Sequence, residues 1–382
     1  MTQTVDAPGV EAVVRGDAAL LERDLAGFLG SLAGAVAPVR PGAAVSVYEA
    51  ALRRSLYGPV ADAVGSRVGQ EALAPAAGPA GGGGGPLRPS MVFWAYRNYR
   101  GFPDEAGHEA SPADLAAVRR AAVAVRILLK AAVALDDIQD GSGIRYGEAA
   151  LHVTHGIPLA LNAGSWLITA ALGHAADPAV VASLVRAVGH GLTGQAVDLS
   201  TRSPRTRAEL MAATRDARVE FWESTAALKT GTLFRMPLDA AVAALGVVED
   251  ERRALDDAMR GLGLASQLFN DLTDFVPELG GANTHEDFDG LGNRVVLELL
   301  GDKVPAESAG PGLKRFVLGH PKLQETLVEL AEEAAGLKRA AKEAVHGVCR
   351  SDRSAAYFDV TIERKGHLID RLYRTVRGRS GG

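Results

Sequence analysis

Leu135-Asp136-Asp137-Ile138-Gln139-Asp140 closes a run of small and aliphatic residues, Ala121 to Ala134, interrupted only by Arg126 and Lys130. Such a run has the length and composition of a helix that is mostly inside the protein. Three carboxylates at its end need a reason, because an uncompensated buried anion is costly even after relaxation. Asp136 and Asp140 are four apart and share one helix face, with Asp137 on its shoulder. A carboxylate pair with no lysine one turn away suits a hard cation such as Mg2+, which keeps several waters and is held by one or two carboxylates plus substrate phosphates. A solvated helix end explains a single cluster of this kind more simply, so the weight falls on whether a second exists.

It does. Gln267-Leu268-Phe269-Asn270-Asp271-Leu272-Thr273-Asp274 sits near the end of another helical stretch, with Glu278 just beyond. Asn270, Asp274 and Glu278 recur every four residues and face one way if the helix persists to Glu278, which Pro277 challenges. Facing each other across a helical bundle, the two clusters could bind several Mg2+ ions and grip a diphosphate between them.

The rest of the chain agrees with an all-α fold. Of 382 residues, 47% are hydrophobic but only 5% aromatic, and Ala, Leu and Val dominate, which favours helix over sheet. A net charge of -5 argues against a nucleic-acid partner. The single Cys349 excludes an internal disulfide and fits a reducing cytoplasm. Met1 to Val10 lacks the pattern of a signal peptide, and the most apolar stretch, Ile157 to Gly173, is too short and too polar for stable membrane insertion. A soluble, cytoplasmic protein is expected.

In order, residues 1–15 read as a flexible N-terminus. Helices are expected over 17–36, 43–73 and from Leu87 to Tyr99. Residues 74–86, with five glycines from Gly81 to Gly85, read as a mobile loop. Ser111-Pro112 with Asp114 starts the long helix to Asp140. Further helices are expected over 146–155, 156–174, 177–200, 204–228, 249–275 and 354–376, with a charged surface helix within 312–348 and a break at Lys229-Thr230-Gly231. No strand and no dividing linker is evident.

Taken together, these motifs resemble the trans-isoprenyl diphosphate synthase family, within the isoprenoid synthase all-α fold of a helical bundle around a central cavity. Leu87-Arg88-Pro89 resembles the end of the family's Gly-Lys-Arg-Leu-Arg-Pro. Asp136 to Asp140, with Ser142 and Arg145, resembles its first aspartate motif and following arginine. His152, Gly156 and Asn162 match the His, Gly and Asn spacing after that motif. Gly194-Gln195-Ala196-Val197-Asp198 resembles its Gly-Gln motif, Lys229-Thr230-Gly231 its Lys-Thr-Gly, and Gln267 to Asp274 its second aspartate motif. The resemblance implies a single domain over 16–382. It implies Mg2+ on Asp136, Asp140, Asn270, Asp274 and Glu278, holding an allylic isoprenyl diphosphate. It places Arg145, Gln195, Lys229 and Thr230 around that diphosphate, and makes Asp136, Asp137 and Lys229 the catalytic set. A homodimer is the family's usual assembly.

The departures bear on the activity. The family's elongating members seat a second diphosphate in a basic pocket. Here its Lys-Arg pair falls at Gly85-Pro86, its histidine at about Leu129 and its second arginine at Tyr146. Arg88 remains. Each lost charge-assisted contact is worth about 1.5–3 kcal/mol. Asn270-x3-Asp274-x3-Glu278 also resembles the second metal motif of terpene cyclases, apart from Asp274 in place of Ser or Thr. Ala282 and Asn293 lie near the places of the elongating enzymes' lysines, where Arg294 could substitute in part.

The sequence therefore reads first as a class I terpene synthase that ionises one allylic diphosphate. The alternative is a prenyltransferase, elongating (as a geranylgeranyl diphosphate synthase does) or using a non-diphosphate acceptor such as an aromatic ring. A third reading is an inactive partner subunit. Ala131 and Ala132, about one turn before Asp136, leave the pocket floor open for a substrate of C20 or longer. Trp166, Phe221 and Phe269, with Trp94 and Trp222, are the aromatic candidates for lining an apolar pocket, each with core packing as its plainer role.

Overall fold

The computed structural model describes residues 7–35, 46–65, 87–102, 111–145, 148–247, 249–276, 279, 287–301 and 309–380. Nearly all of these are helical, in the all-α architecture expected. The helices are α1 (Ala7–Ala35), α2 (Val47–Leu52), α3 (Gly58–Gly65), α4 (Leu87–Arg100), α5 (Pro112–Asp140), α6 (Leu151–His155), α7 (Ile157–Ala175) and α8 (Pro178–Ser200). They continue with α9 (Pro204–Ala212), α10 (Arg215–Ala226), α11 (Thr232–Leu245), α12 (Glu249–Thr273), α13 (Arg294–Leu299), α14 (Gly310–Leu318), α15 (Leu323–Val348) and α16 (Asp352–Ser380). Two π-helical turns, Arg53–Tyr57 and Ala227–Gly231, join α2 to α3 and α10 to α11. The two compact units are Met1–Leu184, Pro237–Val247 and Arg350–Thr361, and Val185–Met236, Val248–Cys349 and Ile362–Gly382.

The first unit is built on α5, which packs against α7, α4 and α1. Its start follows the sequence: Ser111 is the N-cap, its hydroxyl accepting from Ala113 N–H at 3.2 Å, and Pro112 occupies the first turn. Gly141 ends it in the left-handed region at φ 70°, its N–H donating to the Asp137 carbonyl. Between them Ala121 to Leu128 are buried without a gap, Arg126 included. Asp17 of α1 ties this core to α4 and to the start of α16. It accepts from Arg97 at 2.6 and 3.1 Å and from the Tyr357 hydroxyl at 3.1 Å, all three residues being buried. A buried ion pair with several hydrogen bonds fixes one packing arrangement more than it adds stability.

The same unit carries a titratable packing residue. His174 packs edge-on to Phe28 at 5.4 Å, and burial, with Arg120 second, holds its imidazole below the ordinary histidine value. A depressed pKa means that the unfolded chain takes up the proton first on acidification. Its contribution is therefore fully present above about pH 6.5 and is lost as pH falls from there through the folded-state value. Thermal melts from pH 8 to pH 5 will show stability falling over the acid half of this range. His174→Gln will flatten that fall; an unchanged profile counts against the assignment.

In the second unit α12 packs against α15 and against the π turn Ala227–Gly231. Its core gathers Trp222, Leu264, Leu268, Leu272, Leu291, Val295, Leu327, Leu330 and Leu372. Arg294, 3% exposed, pairs with Glu298 at 2.8 Å and Glu333 at 3.5 Å and stacks over the Trp222 ring at 5.1 Å. It is committed to the core, which removes it as a substitute for the acceptor-site lysines.

Four local expectations are corrected. Residues 7–15 are not loose: α1 starts at Ala7, because Val10 and Val14 continue the apolar stripe of Leu21 and Leu25 and are buried. Helix 204–228 is broken at Ala213, where the Thr214 hydroxyl caps α10 by accepting from Ala217 N–H. Lys229-Thr230-Gly231 is no break but part of the π turn. A two-residue hairpin, β1 (Ile144–Arg145) with β2 (Glu148–Ala149), antiparallel with Arg145 opposite Glu148, precedes α6. The glycine-rich residues 74–86 lie outside the described residues.

Candidate active site

In the first unit, α5 presents three different faces. Ala132, Asp136 and Asp140 follow one another at four-residue steps and are all half-buried. Ala131 is fully buried, its carbonyl lying against Gly164 of α7, so the two alanines do not share a face. Asp137 is 3% exposed and turns to a third face. Its carbonyl accepts from Gly141 and Ser142, which fixes where the helix stops and holds Asp140 in the last turn. Trp166 packs edge-on to Tyr57 at 6.2 Å. Trp94 is fully buried and donates to the Ser354 carbonyl at 2.9 Å, a core role. The backbone of Arg145 is in β1; its side chain is outside the described residues.

The second unit brings three motifs together. Gly194 of α8 lies where a Cβ would meet Lys229 N and Leu228, at 2.5 and 2.8 Å. Only glycine lets α8 cross the π turn so closely. Gly263 of α12 makes the same kind of approach to Gly231 from another side. Wedged between, Lys229 donates to Asp198 at 2.7 Å, and Thr230 donates to Gln267 Oε1 at 2.5 Å. Gln195 and Thr230 are buried. The extra residue of a π turn is what points Lys229 and Thr230 at α8 and α12 respectively.

The second aspartate motif divides by role. Asp271, 2% exposed, accepts from Trp222 Nε1, Gln267 Nε2 and Arg294 N–H, each at 2.8 Å. It is an internal anchor. Asn270 is exposed, and Asp274 stands one residue past the end of α12, so no helix carries them to position 278. Asn293 caps α13 through its side-chain oxygen and donates to the Asp271 carbonyl at 3.1 Å and to Asp274 Oδ2 at 3.2 Å, orienting that carboxylate. Glu278 lies outside the described residues. Phe221 and Phe269 are half-buried against the core, and Trp222 is inside it. Asp198 and Asp271 were not singled out in the sequence, although they lie within the Gly-Gln and second aspartate motifs, and Asn293 was noted only as standing near a place of the elongating enzymes' lysines.

Among the described residues, no group of three His, Cys, Asp or Glu side chains could hold a metal ion by itself. The candidate ligands Asp136, Asp140, Asn270 and Asp274 nevertheless offer only oxygen donors. That is the set a hard divalent cation takes when water and phosphate complete its shell, so the pair in each unit fits one.

Comparison with known proteins gives the family. The Polyprenyl synthetase family model matches residues 73–289, more than half of the chain, which therefore belongs to the polyprenyl synthetase family. Prenyl transferase paxC of Penicillium paxilli is 32% identical over 139 residues, covering 36% of this chain and 41% of that protein. Solanesyl diphosphate synthase 3, chloroplastic/mitochondrial, of Arabidopsis thaliana is 26% identical over 144 residues, covering 37% and 32%. The matched segments thus span less than half of these relatives' lengths. The fold is similar to geranylgeranyl pyrophosphate synthetase from the archaeon Geoglobus acetivorans, with a TM-score of 0.63, 18% identity and coverage of 94% and 100%. It is also similar to a polyprenyl synthase from Caulobacter crescentus complexed with calcium and isoprenyl diphosphate, with a TM-score of 0.61, 19% identity and coverage of 95% and 98%. No helix among the described residues is long and apolar enough to cross a membrane.

Proposed function

We propose that the protein is a prenyltransferase that takes an allylic isoprenyl diphosphate as its donor. Family membership across residues 73–289 carries this reading, and it displaces the terpene synthase preferred from the sequence. The retained donor residues support it. Asp136 and Asp140 of the first unit, and Asn270 and Asp274 of the second together with Glu278, are the proposed ligands of divalent cations, and Asp137 keeps the end of α5 in place. Arg145, Gln195, Lys229 and Thr230 contact the diphosphate. Mg2+ is the proposed cation; when bound it supplies the electrophilic pull on the leaving group. Lys229, positioned by Asp198, neutralises charge on the departing diphosphate. Ala131, Ala132, Trp166, Phe221 and Phe269 line the path of a prenyl chain of C20 or longer, kept from water.

Residues 16–382 act as one domain in this proposal, in the cytoplasm, where a single cysteine is at home. The assembly is a homodimer; Ile157 and Leu161, one turn apart on α7 and 55% and 49% exposed, offer an apolar face for it. Sedimentation of the full chain as a monomer would remove that part.

A specific observation keeps cyclisation as the second reading: Gly85, Pro86, Leu129 and Tyr146 stand where the elongating enzymes' basic acceptor pocket would be. The deciding experiment supplies Mg2+ and C10 to C25 allylic diphosphates, with and without isopentenyl diphosphate or an aromatic acceptor. A prenylated acceptor or a longer diphosphate is the expected product. Hydrocarbon or terpene alcohol from the donor alone would replace the proposal with the cyclase.

A further inference from the structure

Phe288 to Asn293, the segment of the second unit that leads into α13, lies against the C-terminal end of α8. Phe288 and Leu291 are buried and root it in that unit's core, with Phe288 edge-on to Phe275 at 6.2 Å. Arg207 of α9 donates to the Asp289 carbonyl at 3.3 Å, and Asn293 ties the far end to α12 by donating to the Asp271 carbonyl. A backbone held at both ends and in the middle has little freedom to retreat.

Two glycines of this segment press on α8. A Cβ on Gly290 would meet Thr201 Oγ1 at 2.5 Å, and one on Gly292 would meet Asp198 Oδ1 at 2.7 Å, closer than real Cβ atoms come. Thr201 donates to the Asp198 carbonyl at 2.7 Å, so both glycines bear on the same turn. Neither glycine has a positive φ, so their lack of a side chain answers to space and not to backbone conformation. Asp198 is thus held from two sides. Oδ1 occupies the room that a Gly292 side chain would take, and Oδ2 accepts from Lys229 at 2.7 Å. A carboxylate is planar and rigid, so anything that pushes Oδ1 aside turns Oδ2 with it.

We infer that Gly292 is a positioning residue for the diphosphate lysine: its bare α-carbon gives Asp198 the room to hold Lys229. The contact stands on the geometry alone, and its bearing on catalysis rests on the prenyltransferase reading. A methyl group at position 292 would turn the Asp198 carboxylate and release Lys229 from the bearing in which it meets negative charge as the C1–O bond breaks. Charge that appears only in the transition state is read in kcat more than in KM.

A double-mutant cycle on the full chain tests this, read as diphosphate release from geranylgeranyl diphosphate with Mg2+. Gly292→Ala should lower kcat about tenfold and change KM less than about threefold, the scale of one weakened charge-assisted hydrogen bond. Asp198→Ala should lower kcat at least as much. With Oδ1 removed, adding Gly292→Ala to Asp198→Ala should cost less than about twofold. Additive losses, or a Gly292→Ala enzyme with the wild-type kcat, overturn the inference. If Gly292→Ala alone does not fold, recovery of helical circular dichroism in the double variant supports the same contact, and failure of both overturns it. A wild type that releases no diphosphate from any donor removes the prenyltransferase reading instead. The nitrogen resonance of Lys229 Nζ, assigned with Lys229→Arg, then decides the contact. Gly292→Ala should move it toward its position in Asp198→Ala, and an unmoved resonance overturns the inference.

Discussion

Asp136→Ala will lower turnover of an allylic diphosphate by about 10^3-fold, the scale seen when a group that stabilises transition-state charge is deleted. The fold will survive it. Asp136 is half-buried in the last turn of α5, and the helix stop is made by Gly141 and the Asp137 carbonyl, which the substitution leaves alone. Far-UV circular dichroism will therefore stay helical while diphosphate release disappears. Asp136→Glu should keep part of the activity and raise the Mg2+ concentration needed for half-maximal rate. Turnover within tenfold of wild type in the alanine variant would strip this carboxylate of its role.

The opposite outcome is expected at Asp271, a buried carboxylate that accepts three hydrogen bonds. Asp271→Ala leaves the buried Trp222 indole N–H and the Arg294 backbone N–H without their acceptor. An orphaned buried donor costs about 1–3 kcal/mol, so the pair should lower stability by about 3–5 kcal/mol. For a unit of this size that is a drop in melting temperature on the order of 10 °C. Asp271→Asn, which keeps one acceptor oxygen, should lose less than half as much. An alanine variant that melts with the wild type would mean that the three hydrogen bonds contribute nothing net. Two aspartates, one from each motif, thus separate by measurement: Asp136→Ala loses rate with the fold intact, and Asp271→Ala loses stability.

What could be read in advance was whatever local chemistry decides. Ser111-Pro112 starting α5, the apolar run to Ala134 and the carboxylate spacing at its end needed no partner to interpret, and the order of motifs located the family. The misreadings came where distant contacts overrule local signals. Gly231 looked like a helix stop, yet it lies in a continuous π turn against which Gly263 of α12 packs, at a distance that leaves no room for a Cβ on residue 263. At the end of α12, Asn293 donates to the Asp271 carbonyl and to the Asp274 carboxylate, ties between residues about 20 positions apart. Asp198 as the partner of Lys229 is a pairing across 31 positions that no periodicity announces. The hairpin before α6 has two residues per strand, too few for an alternating pattern to register.

The π turn at Ala227–Gly231 has a consequence for how this stretch of gene can change. Such a turn is an α-helix with one residue too many, so a single-codon deletion inside it would restore ordinary winding. The bulge that carries Lys229 and Thr230 would then be lost, and each residue inside it would take a new bearing on the helix, about 100° per position. The lysine and threonine on either side of that step could no longer reach α8 and α12 at once, which makes the length of this short stretch as constrained as its letters.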